Sequence, residues 1–302
     1  MKMKWVAVLL CLAMSVALTA SADSNEAKNL FDKGKELLSK ADFEGAAKTF
    51  AEASAKDPDN EDYRGQAQIL SRVVSVRKNL KEEADPKRWE AMARALHSYY
   101  CTNDLYEEAK KVDQQLYSRL QNEETASMLA ETLLELGDNK KAEKTLKPYM
   151  SQDPSGYCQL LYGITLVRLN KSDQAHDILH HVKIADDSDA QLRFQGARLN
   201  ALMGHSEVAL NLLTGVFESI PPSRLPQIKE YVSANKDFSS LVGGKKFAAV
   251  LQTKSKVSES KCSGGTSCGG CPSASSCSSA SGSKTTKQPT KDCPSGHDHS
   301  SK

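Results

Sequence analysis

Five alanines, Ala46, Ala109, Ala142, Ala175 and Ala209, each follow a short polar turn and precede a large apolar side chain by about four residues. The last four are spaced by 33, 33 and 34 residues. A fixed period of this length marks stacked helix pairs, in which one unit cannot bury its apolar face alone and closes it against its neighbours. The chain must therefore fold as an array. Arrays present extended surfaces, which suit holding a partner better than they suit catalysis.

The residues around the ruler repeat in phase. The first copy, 27–60, carries Gly34, Ala46, Phe50, Ala53 and Pro58; a small residue is needed where two helices cross closely, a large apolar one fills the space they enclose, and proline ends a helix. The copy 123–156 carries Leu129, Ala130, Leu133, Gly137, Asp138, Ala142, Leu146 and Pro154 in the same register. A further copy from Gly156 has Tyr162, Gly163, Leu166, Ala175 and Leu179, and one from Ala190 has Ala197, Gly204, Ala209, Leu213 and Pro221. At these positions the chain resembles the tetratricopeptide repeat, a helix-turn-helix unit of 34 residues. The resemblance covers roughly 27–222. It implies an all-α fold, a right-handed superhelical solenoid of antiparallel helix hairpins.

Two departures stand out. The copy 90–123 places His97 at the small-residue crossing and Asp113 at the large apolar one, which predicts looser packing. Ile69, Val73, Val76 and Leu80 keep helical spacing, so 61–83 reads as one long helix broken at Ala84, Asp85 and Pro86, and the array is irregular over 61–89. After Pro222 the segment 223–252 resembles the closing piece of bacterial repeat proteins. Phe238, Leu241, Phe247 and Val250 would cover the last hairpin, because the end of a solenoid is an apolar face without a neighbour.

The first 22 residues read as a secretory signal: Lys2 and Lys4, an apolar run from Trp5 to Leu18, then Ala20, Ser21 and Ala22 as a cleavage site. The run is shorter than the roughly 20 residues a bilayer span needs. Cleavage removes two of 40 basic residues and none of 38 acidic ones, so the mature charge is zero and a nucleic-acid role has no electrostatic support. The expected product is exported, periplasmic or extracellular, without a membrane span. Gly-x-Ser-x-Gly and His-Glu-x-x-His are absent and no catalytic constellation emerges, so the reading is a non-enzymatic scaffold whose partner is a protein or peptide.

In tetratricopeptide arrays the first helix of each hairpin lines the concave groove. Carried onto this chain, that resemblance implies groove positions at Tyr157, Leu160, Ile164, Val167 and Arg168, and at Phe194, Arg198, Ala201 and Leu202 of the next copy. Such a patch, apolar with two arginines at its rim, suits a peptide with apolar anchors and an acidic group. Helical spacing of apolar residues equally describes plain packing of the array. The family's carboxylate clamp of Lys and Asn is not recognisable, since Glu124, Ser127 and Glu131 occupy the corresponding faces.

His176 and His180, one turn apart beside His181, are spaced to share a metal ion. Asp173 and Asp177 lie near them, but nothing supplies ordered third and fourth ligands, and a solvated polar face is the competing reading. From Thr253 the chain turns to Ser, Gly, Thr and Lys, a composition that predicts a disordered tail, 253–302. Within it Cys262, Cys268, Cys271 and Cys277 offer a thiolate set for Zn²⁺ or Cu⁺, giving an alternative function as a thiol-redox or metal-binding protein. Disulfide staples and a plain flexible tail are the other readings of that segment, and no cofactor is expected outside it.

Overall fold

The structure, a computed structural model, describes residues 24–185 and 188–259. The expected signal segment and the cysteines Cys262, Cys268, Cys271 and Cys277 lie outside the described residues. All described residues belong to one unit of the chain.

Short polar side chains set the helix starts. Asp42, Asn60, Asp85, Asn122, Asp138, Ser155 and Asp189 each accept a hydrogen bond from a backbone N–H in the following first turn. Each such cap satisfies a donor that the helix itself leaves open and contributes about 1 kcal/mol. Thirteen α-helices and no strand result among the described residues: α1 (24–39), α2 (Phe43–Lys56), α3 (Glu61–Leu80), α4 (Pro86–Thr102), α5 (Tyr106–Leu120), α6 (Glu123–Glu135), α7 (Asn139–Leu146), α8 (Gly156–Arg168), α9 (Ser172–His181), α10 (Ala190–Leu202), α11 (Ser206–Ser219), α12 (Leu225–Ala234) and α13 (Lys245–Leu251). The long helix expected after the first copy is α3, and Pro86 opens α4.

Five hairpin turns share one backbone device. Ala41, Asp104, Gly137, Asn170 and Gly204 all have φ between 56° and 82°, and each stands five residues before a ruler alanine. The residue after each donates its N–H to a carbonyl five positions back: Asp42 to Leu37, Leu105 to Tyr100, Asp138 to Leu133, Lys171 to Leu166 and His205 to Asn200, at 2.8 to 3.0 Å. This closure stops the first helix and aims the chain back along it. The same turn five times over produces the helix pairs α1/α2, α4/α5, α6/α7, α8/α9 and α10/α11.

The ruler alanines are fully buried, as are Ala130 and Ala197. Small residues are required at these crossings: a methyl group added to Gly34 would meet ring carbons of Phe50 at 2.7 Å, and one added to Gly163 would meet Leu199 at 2.7 Å. Helices stack on their chain neighbours and also first helix on first helix, α6 on α8 and α8 on α10. Three apolar clusters follow in order along the chain, the last formed by Ala197, Leu213 and Phe217 with Phe238, Leu241 and Phe247 from the closing segment. The closing segment packs on α10 and α11.

One expectation fails locally. His97 and Asp113 do not loosen the α4/α5 hairpin, because they bond to each other. The imidazole Nδ1–H donates to Asp113 Oδ1 at 2.7 Å, and the Thr132 hydroxyl donates to Asp113 Oδ2 at 2.6 Å. Asp113 has no exposed surface. Burial works against the charge on His97, yet hydrogen bonding to Asp113 and to Cys101 outweighs it and pushes the imidazole up to about 10. A buried polar pair is tolerated at an apolar crossing when its hydrogen bonds are made internally.

Candidate functional site

The first helices of successive hairpins carry polar side chains that reach each other across the array. Arg94 on α4 grips Glu124 on α6 with two parallel bonds of 2.7 and 2.9 Å. The Tyr157 hydroxyl on α8 donates to Glu131 on α6 at 2.6 Å and accepts from Gln191 on α10 at 3.2 Å, while Gln195 donates to Glu131 at 2.7 Å. Burial and the neighbouring Glu131 carboxylate hold the Tyr157 hydroxyl well above its usual range, so it stays a donor at any physiological pH. A polar ladder thus runs over the first-helix face from α4 to α10.

The ladder ends in a buried ion network. Arg198 on α10, with no exposed surface, donates Nε–H to Asp237 Oδ2 at 2.7 Å, Nη2–H to Glu135 at 2.7 Å and Nη1–H to Gln195 Oε1 at 3.2 Å. Arg168 on α8 donates to the other oxygen of Asp237 at 2.7 and 3.0 Å and also to the Leu134 carbonyl. Burial opposes the charge on Arg198, but Glu135 and Asp237 more than compensate and hold it protonated. Asp237 lies in the short 3-10 turn Lys236–Phe238, where the Asn235 side chain accepts its N–H at 2.9 Å. Phe238 beside it is fully buried and meets Phe194 edge-on at 5.9 Å between ring centres.

The groove residues read from the sequence are therefore divided. Tyr157, Arg168, Phe194 and Arg198 do converge on one region. Leu160 and Ile164 do not reach a surface: both are fully buried within the core cluster that holds Ala130, Leu133 and Leu199, and Val167 is packed against the same cluster. As groove anchors Leu160 and Ile164 are corrected to core, because neighbouring first helices stack closely enough to enclose them, while Val167 is half-buried at the cluster's edge. Arg198 is likewise taken up internally by Asp237.

Glu135, Gln195 and Asp237 were missed, and Glu131 was placed on this face without its partners. The carboxylate partner foreseen for the two arginines is supplied by the chain's own closing segment. An acidic residue directly before a phenylalanine in an otherwise covering segment was the available signal; nothing in its spacing tied it to positions 39 and 69 residues away.

Among the described residues no helix is long and apolar enough to cross a membrane. Cys158 is buried, which pushes its thiol up to about 11, and Cys101 is half-buried against His97. No known protein-family model matches the chain, and no similar curated protein was found.

Proposed function

We propose that this chain is an exported, non-catalytic scaffold of tetratricopeptide type that holds a protein or peptide segment along the first-helix face of its hairpin array. The observation that carries the reading is the capture of Asp237 and Phe238. Arginines from two successive first helices converge on one carboxylate of a short segment while an aromatic ring beside it enters an apolar pocket. This is peptide recognition performed in cis, by charge-assisted bonds and one anchor. The five identical turns at the ruler's spacing support the repeat assignment.

Because Leu160, Ile164 and Arg198 are enclosed, the partner meets the polar ladder rather than an apolar patch. Its accessible groups are Glu124 and Gln191, with Arg94 partly open beside them. Rim contacts of this kind fix register and orientation more than they supply affinity. A segment with alternating carboxylates and amide donors fits that inventory.

The test places a photo-crosslinking side chain in turn at Glu124 and Gln191 on first helices and at Lys48, Lys144 and Asp177 on second helices, then irradiates the native envelope. Capture of the same partner from the first two positions and not from the other three is the expected result. Capture only through second-helix positions, or through none, removes the proposal.

A further inference from the structure

The turn between α10 and α11 brings a third imidazole to the pair on α9. His176 and His180 have ring centres 4.5 Å apart, and the ring of His205 lies 6.5 Å from that of His176. All three are exposed and line one cleft of about 320 Å³, whose remaining wall includes the apolar side chains of Leu179, Ile184 and Leu212. Among the described residues, no hydrogen bond engages the two rings on α9 in the way the Asp177 carbonyl engages their neighbour His181, whose Nδ1–H donates to it at 2.6 Å.

Asn200 distinguishes this cleft from an ordinary polar surface. Its amide, only 6 % exposed, donates from Nδ2 to the Gly196 carbonyl at 2.8 Å, which turns Oδ1 toward His205 Nδ1 at 3.3 Å. An imidazole that donates from Nδ1 keeps its lone pair on Nε2, the form a metal ion binds. Metal-binding histidines almost always have the second ring nitrogen held by an oxygen in this way.

Zn–N bonds of about 2 Å place two imidazoles that share a tetrahedral ion about 5 Å apart between ring centres. His176 and His180 already have that spacing. No three such side chains are yet gathered closely enough to hold an ion among the described residues, so the pair on α9 has to turn toward His205, which Asn200 holds, for the set to close. Both rings of that pair are exposed, which leaves room for the rotation.

We propose that His176, His180 and His205 bind a divalent transition-metal ion of the zinc and copper class, with Asn200 orienting His205 and the remaining position open to water. Neutral imidazoles of borderline softness select that class over calcium or magnesium. The site stands apart from the ladder on the first helices, and its failure would leave the scaffold reading untouched.

The experiment titrates the full-length protein with Zn²⁺ by calorimetry after its thiols have been alkylated, which removes the tail cysteines as ligands. His176→Ala, His205→Ala and Asn200→Ala variants receive the same treatment, and circular dichroism confirms that each is folded. One ion per chain is expected, with affinity weakened at least 100-fold by H176A and about 10-fold by H205A and by N200A. Loss of all binding on alkylation, or an affinity unchanged in H176A or in H205A, overturns the assignment.

Discussion

His97 and Asp113 face each other within one hairpin, 16 residues apart, whereas Asp237 reaches back 39 residues to Arg198 and 69 to Arg168. Both centres bury charge where a tetratricopeptide pattern would put apolar packing or open groove. The short-range pair replaces a small residue and a large one at a crossing and makes its bonds among α4, α5 and α6. The long-range network fastens the closing segment to α6, α8 and α10, so its charges decide where a whole piece of chain lies. The cation of the first centre is a histidine, that of the second a pair of arginines. Here the local pair stays within one hairpin and its neighbour, whereas the long-range network sets where the closing segment lies.

Removing Asp237 should break the longer network most severely. Asp237→Ala leaves two arginine head groups without their shared carboxylate and should cost about 3–5 kcal/mol in urea denaturation. Hydrogen exchange should then quicken in α12 and α13 while α1 to α5 keep their protection; equal quickening everywhere would erase the distinction drawn between the centres. Asp113→Ala should cost about 2–3 kcal/mol by stranding His97 and the Thr132 hydroxyl. Adding His97→Ala and placing Leu at 113 instead should recover most of that loss, because the crossing becomes the small-and-large apolar pair of the other copies. Failure to recover would mean the pair does more than fill its crossing.

The pH dependence separates the centres in another way. His97 is raised from 6.5 to about 10 in the folded chain, so its stabilisation is complete below pH 6.5 and is lost as pH climbs through 10. Thermal melts between pH 6 and 10 should therefore fall more steeply for the parent chain than for His97→Asn, whose amide can still donate to Asp113. Parallel curves would show that the imidazole carries no extra charge. The smallest effect belongs to the turns. Ala41→Gly should stabilise by about 1 kcal/mol, since φ of 59° is strained for alanine, and Asn170→Gly by less, since asparagine tolerates that region better.

Much of the array was legible beforehand because its causes are local and periodic. Ala46, Ala109, Ala142, Ala175 and Ala209 mark close crossings by their spacing, Gly34 faces Phe50 as the family resemblance implies, and Pro86 breaks the chain after α3 by its own chemistry. The turn device was hidden. Ala41, Asp104, Gly137, Asn170 and Gly204 share a backbone conformation but no side-chain chemistry, so only their distance from the ruler alanines betrays them. The first-helix face was half legible: the resemblance put Tyr157, Arg168, Phe194 and Arg198 together, but could not tell that first helices approach closely enough to enclose Leu160 and Ile164.

The amino-acid order by itself determined a helical array, its period and the seats of its small residues, because those follow from how one helix turn meets the next. Tertiary structure alone decided that Asp237 is the acid held by the two arginines, and that His205 joins His176 and His180. Such meetings depend on where separate helices stop and on how the closing segment folds back, quantities set by the summed packing of the array and carried by no local pattern.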